Sequence, residues 1–464
     1  MLLPYHDRLF QATWANPAAR PTKRFSFGLP IIASVEAGLI NNGFTLQRVS
    51  SYEDSILYID AKKLEKSLFQ NNHLYLEAET DLLHFRMAWS DFYFWIALRT
   101  RAEVALRYSR DIVSLIANGN KSFVGKPMKL SKMAFDARIY QELTLGASRI
   151  DENMAYGARI SLLAGVAAAH SSIKELSLSI DDNQGNLFAH HLIAQGRIHS
   201  SNCPSDSNGL PDLAQLAEPE YLKKLNWFNL KNPGCALAGA FSYKLLENLE
   251  LSAAISDLGL IYWSDRLTTY KAKQDEVVVD VLIDDIQKAF KTKKFNLDSL
   301  TRELRNMATL DTAKLQHGET FLTWLNPKIY LLARYKLWQH STLGACIAGT
   351  LNQNYFYPAL SLSFQQDYSQ WLSVQVAWSY NQRSFLNLGL ALLITPGPIQ
   401  LYAITDNLVA FFAPHISRAT NFRVGLNLAF NSFSLFHSIS ENSSRRNASR
   451  CPAYGNIYQP SYKR

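Results

Sequence analysis

Long runs of strict two-residue alternation constrain this chain more than any other feature. From Phe92 to Leu106 the even positions are Phe92, Phe94, Ile96, Leu98, Thr100, Ala102, Val104 and Leu106, while Arg99, Arg101 and Glu103 fall on the odd face. A period of two is the signature of a strand whose faces meet different surroundings. The pattern returns over Met133 to Leu145 and, after a turn at Asp151-Glu152-Asn153, over Met154 to Val166. It continues in the C-terminal third around Ile329–Leu337, Phe356–Phe364, Leu372–Trp378 and Leu386–Leu392. Each long run exceeds the ~5–6 residues of ordinary soluble strands and reaches the ~9–11 that a tilted membrane strand needs. Connections such as Gln366–Ser369 and Asn381–Arg383 are of hairpin length, so the chain reads as an all-β, antiparallel up-and-down meander.

Alternation alone does not say which face points inward. In a soluble sandwich the apolar face is the core, whereas in a transmembrane β-barrel it meets lipid and the polar face lines the lumen. The late strands carry Ser, Asn, Gln, Gly and Ala on their polar faces, residues suited to a crowded interior. Aromatics gather near strand ends (Trp89, Tyr93, Trp95; Trp371, Trp378, Tyr380), as interfacial girdles do. Both details favour the barrel. No apolar run approaches the ~18–20 residues of a membrane-spanning helix, so the crossing elements are strands.

Short helical inserts interrupt the meander. Asp60 is placed to cap AKKLEKSLFQ, and Ser109 to cap RDIVSLIA. Residues 1–23 form an N-terminal segment, 24–430 the barrel, and 431–464 a basic tail. The longest inserts, near 200–232 and 273–318, are the candidates for plugs, lids or partner-binding loops.

Charges on the polar faces are the main candidate functional residues. Arg99, Arg101, Glu103 and Arg107 share one face of one strand, and Lys132, Asp136, Arg138 and Glu142 share a face of the next. Because Arg or Lys on a lipid face at midplane costs ~2–4 kcal/mol, all eight are expected to face the lumen. There they either set the selectivity of a wet pore or tie the wall and a plug together. The second reading is preferred, since a barrel filled by 200–232 or 273–318 needs such pairs.

Catalytic and metal-binding patterns are not found, and no cofactor is expected. His190-His191 are adjacent in a strand-like stretch, on opposite faces, and do not chelate one metal together. Asp257 reads as a bend and Asp406-Asn407 as a strand-end cap, from the turn chemistry of Asp, Asn and Gly. Cys203, Cys235, Cys346 and Cys451 have no metal or disulfide spacing, although Cys203 with Cys235 can be drawn as a pair.

The last alternating segment, Asn421 to Phe430, has Arg423, Gly425, Leu428 and Phe430 in an order that resembles the signal by which the barrel-assembly machinery recognises a terminal strand. Further segments carry a wider resemblance: Asn16-Pro17-Ala18 with Phe25–Pro30, Asn232-Pro233-Gly234, Ser256–Gly259 with Trp263, and Gly397–Tyr402 with Thr405-Asp406-Asn407. Together they resemble a Bacteroidetes outer-membrane β-barrel family of unknown function. It is similar in style to long-chain fatty-acid channels and to the shuttle barrel of the type IX secretion system. The resemblance implies a barrel of about 14–16 strands in the bacterial outer membrane. It implies no established activity. The first residues do not form a signal peptide, so the leader of an exported protein is absent from this sequence.

Two functions follow: a channel for a small or amphipathic solute, or a non-transporting scaffold in an envelope secretion or surface assembly. The partners expected are the lipid bilayer, the barrel-assembly machinery and an envelope protein met by the tail, with no nucleic acid. From Asn442 to Arg464 there is no acidic residue, and Arg445, Arg446, Arg450, Lys463 and Arg464 supply five of the formal charge of +8, so basicity belongs mainly to the tail.

Overall fold

The computed structural model describes residues 2–30, 32–53, 56–118, 123–183, 186–205, 211–279, 313–353, 355–381 and 384–431. The alternating runs become a closed antiparallel barrel of 14 strands. They are β1 (Phe25–Gly28 and Ser34–Asn41), β2 (Asn71–Trp89), β3 (Phe92–Ser109), β4 (Ala134–Ile150), β5 (Met154–Asn183), β6 (Pro233–Leu246) and β7 (Leu249–Trp263). There follow β8 (Phe321–Trp324 and Lys328–Trp338), β9 (Ser341–Asn352), β10 (Tyr355–Asp367), β11 (Leu372–Asn381), β12 (Ser384–Ile394), β13 (Ile399–Thr405) and β14 (Ala419–Phe430). Each pairs with its sequence neighbour, and β14 closes the sheet on both pieces of β1, with Phe430 opposite Phe25 and Val424 opposite Val35. Closure removes the exposed edges that an open sheet leaves unpaired.

The pleat sorts the side chains as the alternation requires. Outward positions are large and apolar: Leu162 is 59% exposed and Ile347 58%, with Leu145, Ile160, Leu237 and Leu331 alike. Inward positions on the late strands are small or polar, and Cys346, Ser361, Ser363, Ser373, Gln375 and Ser379 are all buried. Hydrocarbon is the surrounding that covers such an outer face without penalty, which makes this a transmembrane barrel. Exposed aromatics ring both ends: Trp89, Phe92, Trp338, Tyr368 and Trp371 at one, Trp324, Phe356, Phe385, Phe411 and Phe412 at the other. Trp95 is a correction. It points inward beside Phe10 and Trp14, over Gly146, and belongs to no girdle.

Connections divide by end. Tight turns at 90–91, 151–153, 247–248 and 339–340 share one end with the start of β1 and the finish of β14, whereas the described residues of the inserts 42–70, 110–133 and 264–320 lie at the other. Here β5 runs on past the barrel and pairs with Asn186–Ser201, which pairs in turn with Leu267–Val279. Helices form at Ala61–Ser67, where Asp60 accepts the N–H of Lys62 and Lys63, and at Arg110–Asn118, where the Ser109 hydroxyl accepts from Asp111.

One irregularity matters for the lumen. β7 carries a bulge at Asp257, whose φ of 59° is left-handed, and its register with β6 shifts there. Opposite it, β8 breaks between Trp324 and Lys328, with Leu325 and Asn326 buried. A bulge re-aims a side chain that regular pleating would have placed differently.

Replacing outward-facing Ile160 by Arg is expected to lower the unfolding free energy by ~2–4 kcal/mol in urea titrations of the bilayer-reconstituted protein, because the charge lies about midway along a spanning strand.

Candidate functional site: a plugged lumen

Residues 2–20 occupy the lumen. Leu2, Tyr5, Leu9, Phe10, Trp14 and the run Gln11–Ala19 are buried against the wall. The backbone N–H of Leu2 donates to Asp406 Oδ1 at 2.7 Å, and the Tyr5 hydroxyl lies 3.0 Å from Ser361 Oγ. Asp7 pairs with Arg334, and Arg8 with Asp367 at 2.8 Å. The Gln11 amide donates to Asp81 at 3.0 Å and to Asn427 at 3.2 Å, and Arg20 meets Glu250 at 2.8 Å. Glycines make room for the segment. A Cβ on Gly157 would sit 2.2 Å from the Pro17 carbonyl oxygen, and one on Gly344 would sit 2.4 Å from the Tyr5 ring. The expectation that 200–232 fills the barrel is therefore corrected: the N-terminal segment occupies the lumen. The described part of 200–232 stays at the rim, where Tyr221, Asn229 and Asn232 bond to Asn202, Asp265, Gly165 and Ser201. Most of 273–318 lies outside the described residues.

Behind the plug, the inward charges form one buried network. Arg99 bonds Glu142 at 2.7 Å and also reaches Glu79 and Asp257. Arg101 lies 2.8 Å from Glu103 and 3.1 Å from Asp257. Arg138 meets Glu103 at 2.6 Å and donates to the Trp324 carbonyl where β8 breaks. Arg159 lies 3.0 Å from Asp257 and donates to the Thr13 and Trp14 carbonyls at 3.1 and 2.8 Å. The guanidinium carbons of Arg99 and Arg159 stand 3.8 and 5.0 Å from the centre of the Trp14 ring. The network thus grips the plug by charge, backbone and aromatic face together.

Above the plug, toward the long inserts, a cavity of about 180 Å3 remains. Leu3, Pro4, Trp14 and Ala15 form its floor, and Glu36, Glu77, Arg101, Lys328 and Arg423 are among its walls.

Of the eight residues expected in the lumen, Arg99, Arg101, Glu103, Arg138 and Glu142 are buried in the network. Asp136 is half-buried beside Arg138 at 3.4 Å. Arg107 lies near the long-insert rim, donating to the Gln353 carbonyl at 3.0 Å over the Tyr355 ring. Lys132 is corrected: it sits in an exposed turn before β4 begins at Ala134, beyond the reach of the pleat. Glu79, Arg159, Asp257 and Arg423 complete the network and were not singled out as lumen charges. Arg159 stood in an otherwise apolar alternating run, a signal that was available. Asp257 is indeed a bend, and its bend is what turns the carboxylate onto Arg101 and Arg159.

In the terminal strand, Arg423 points inward to Glu36 and Glu79, and Gly425 is in-facing, where a Cβ would strike the Ala33 carbonyl. Leu428 and Phe430 take the opposite face, with Phe430 stacked on Phe25 at 5.6 Å. Asp406-Asn407 cap the end of β13: the Asp406 N–H donates to Asn421, and the Asn407 amide donates to the Ala419 carbonyl. Cys203, Cys235 and Cys346 are free. The side chains of His190-His191 lie outside the described residues. Among the described residues no group of three or more His, Cys, Asp or Glu is placed to hold a metal.

A closed transmembrane barrel with its own N-terminal segment packed in the lumen is the class that the fold defines. Residues 17–406 match a family of unknown function, DUF5723, and the chain belongs to that family. No curated protein matches the sequence. Solved structures align over most of the chain at low identity. A monoaromatic hydrocarbon channel, the deltaS2S3 mutant of TodX, aligns over 91% of this chain and 94% of its own at 11% identity and a TM-score of 0.43. The toluene transporter TodX of P. putida and a FadL homologue of Pseudomonas aeruginosa each cover 91% of this chain and 94% of their own, at 9% identity and a TM-score of 0.41. These are likenesses of fold alone.

Replacing Asp257 by Asn removes the carboxylate shared by Arg101 and Arg159, and a cost of ~3–5 kcal/mol in urea unfolding is expected for uncompensated buried charge. A second expectation concerns pH. Burial pushes His6 down to about 4, with Arg8 and Arg334 adding to the effect and Asp367 opposing it. The undocked plug then binds a proton more readily than the docked one. Docking is full above the ordinary imidazole value of about 6.5 and weakens as pH falls toward 4. Asp7, whose carboxyl burial pushes up, works in the opposite sense. The difference between the parent and His6→Gln isolates the imidazole: protease cleavage within residues 2–20 should diverge between them only below about pH 6.5.

Proposed function

We propose that this protein is a bacterial outer-membrane barrel that passes a small solute, with residues 2–20 as the closure of its lumen. The observation that supports this reading most is the cavity directly above the plug, lined by charged and polar side chains among apolar ones, inside a barrel whose outer face is apolar. A wall serving only as scaffold has no need to leave a lined chamber at the long-insert end. In outer-membrane barrels the short turns lie on the periplasmic side and long loops on the other, so the cavity faces outward and the plug faces the periplasm.

The second reading, a non-transporting scaffold or partner barrel in an envelope assembly, is favoured by the number of ties that seal the lumen. Arg159, Arg334, Asp367, Asp81 and Asp406 all bond to the plug. The barrel-assembly machinery is the partner proposed for Arg423, Gly425, Leu428 and Phe430. The basic tail, proposed to meet an envelope protein or anionic headgroups, lies outside the described residues.

Planar-bilayer recording separates the two. Under the channel reading the full chain conducts rarely, and a variant lacking residues 2–20 conducts continuously with weak ion selectivity. A plugless variant that folds into the bilayer and still does not conduct would refute transport through the lumen.

A further inference from the structure

The cavity's charges are spoken for, and so are Tyr75, Asn387, Asn407 and Asn421, but other neutral polar groups on its wall are not. Glu36 and Glu79 hold Arg423, Glu77 holds Lys328 at 3.6 Å, and Arg99 and Arg101 are engaged by Glu142, Glu103 and Asp257. Asp406 accepts from the Leu2 N–H and from the Asn421 amide. By contrast, the cavity-lining side chains of Tyr330, Thr350, Asn352, Tyr357 and Asn381 make no hydrogen bond among the described residues. Their polar atoms open onto the cavity rather than being sealed in the wall, so a ligand entering it meets them.

Their chemistry is specific. Hydroxyls and carboxamides both donate and accept, which suits a ligand whose own groups do both. A net-charged ligand would have to displace an existing ion pair. A purely apolar one would bury these groups unpaired, at a cost for each. The rings of Tyr75, Tyr330 and Tyr357 add flat apolar surface, and Tyr357 is held in place by stacking on His73 at 4.5 Å. At about 180 Å3 the space is below the ~300–1,000 Å3 of pockets for drug-sized ligands, and it suits a single ring.

We infer that the cavity above the plug binds a neutral polyhydroxyl solute of single-ring size, a free hexose being the simplest representative. Vicinal hydroxyls match the unpaired hydroxyls and amides, and the apolar face of the ring lies against tyrosine. This rests on the channel reading, naming the solute class that the lumen admits, but it is measured independently of passage.

The test uses the full chain in detergent micelles, titrated calorimetrically with glucose, galactose and toluene, with conductance of the same preparation and of its plugless variant recorded in parallel. Saturable hexose binding is expected. Thr350→Val with Asn352→Leu should weaken it about tenfold, the worth of one or two hydrogen bonds. Leu351→Ala, between them on the lipid face, should leave it unchanged. Tyr357→Phe, which removes one hydroxyl and keeps the ring, should weaken it severalfold and serves if the double variant does not fold. The inference is overturned if no hexose binds saturably, if toluene binds in its place, or if hexose binding ignores the substitutions. Hexose binding without conductance would uphold the cavity assignment and sink transport. Conductance without hexose binding would do the reverse.

Discussion

A guanidinium turned into the interior of a barrel has to meet a carboxylate, and the lumen is organised around that requirement. Wall strands pair only with their neighbours, so Arg99, Arg101, Arg138 and Arg159 can be neutralised only by groups that the cylinder brings within reach. Glu142 and Glu103 lie one strand away. Asp257, from far along the chain, serves Arg101 and Arg159 together because the β7 bulge points it inward. Taking one partner away strands a charge in a low dielectric, so the network behaves as a unit rather than as a set of surface pairs.

The plug follows from the same chemistry. Arg159 still has donors to spare once Asp257 is paired, and the Thr13 and Trp14 carbonyls take them. The Trp14 ring then lies against two guanidinium groups, and Gly157 lets the Pro17 backbone approach where any side chain would block it. What the plug leaves unfilled, at the end bearing the long inserts, is the cavity. Its polar groups are a consequence of the wall: inward positions have to be small or polar for the network and the plug to fit, and those the plug does not reach remain available.

The barrel was legible in the sequence because a period of two survives wherever the two faces of a strand meet different surroundings. Five of the eight expected lumen charges lie in the network for that reason, Asp136 lies on its margin, and Arg107 lies apart at the long-insert rim. Lys132 was misplaced because the alternation was extended two residues past the true start of β4 at Ala134. Asp257 carried the local signal of a bend, and the bend is real. Its ion pairs span 156 and 98 residues of sequence, a distance over which no pattern of spacing speaks. The plug was hidden differently. Residues 2–20 lack alternation and form only short turns of helix, so their burial is decided by the wall around them. Leu2, Tyr5, Leu9, Phe10 and Trp14, a dense apolar set outside any strand, were the one sign that this segment needs a covering.

Seating of the N-terminal segment inside the closed barrel is the central claim, and hydrogen exchange followed by mass spectrometry on the bilayer-reconstituted full chain tests it most directly. Peptides covering residues 2–20 should exchange slowly, within the range set by the barrel strands, and should quicken in Asp257→Asn while the lipid-facing strands hold. Exchange of those peptides at the rate of an unstructured tail in the unaltered protein would contradict the account.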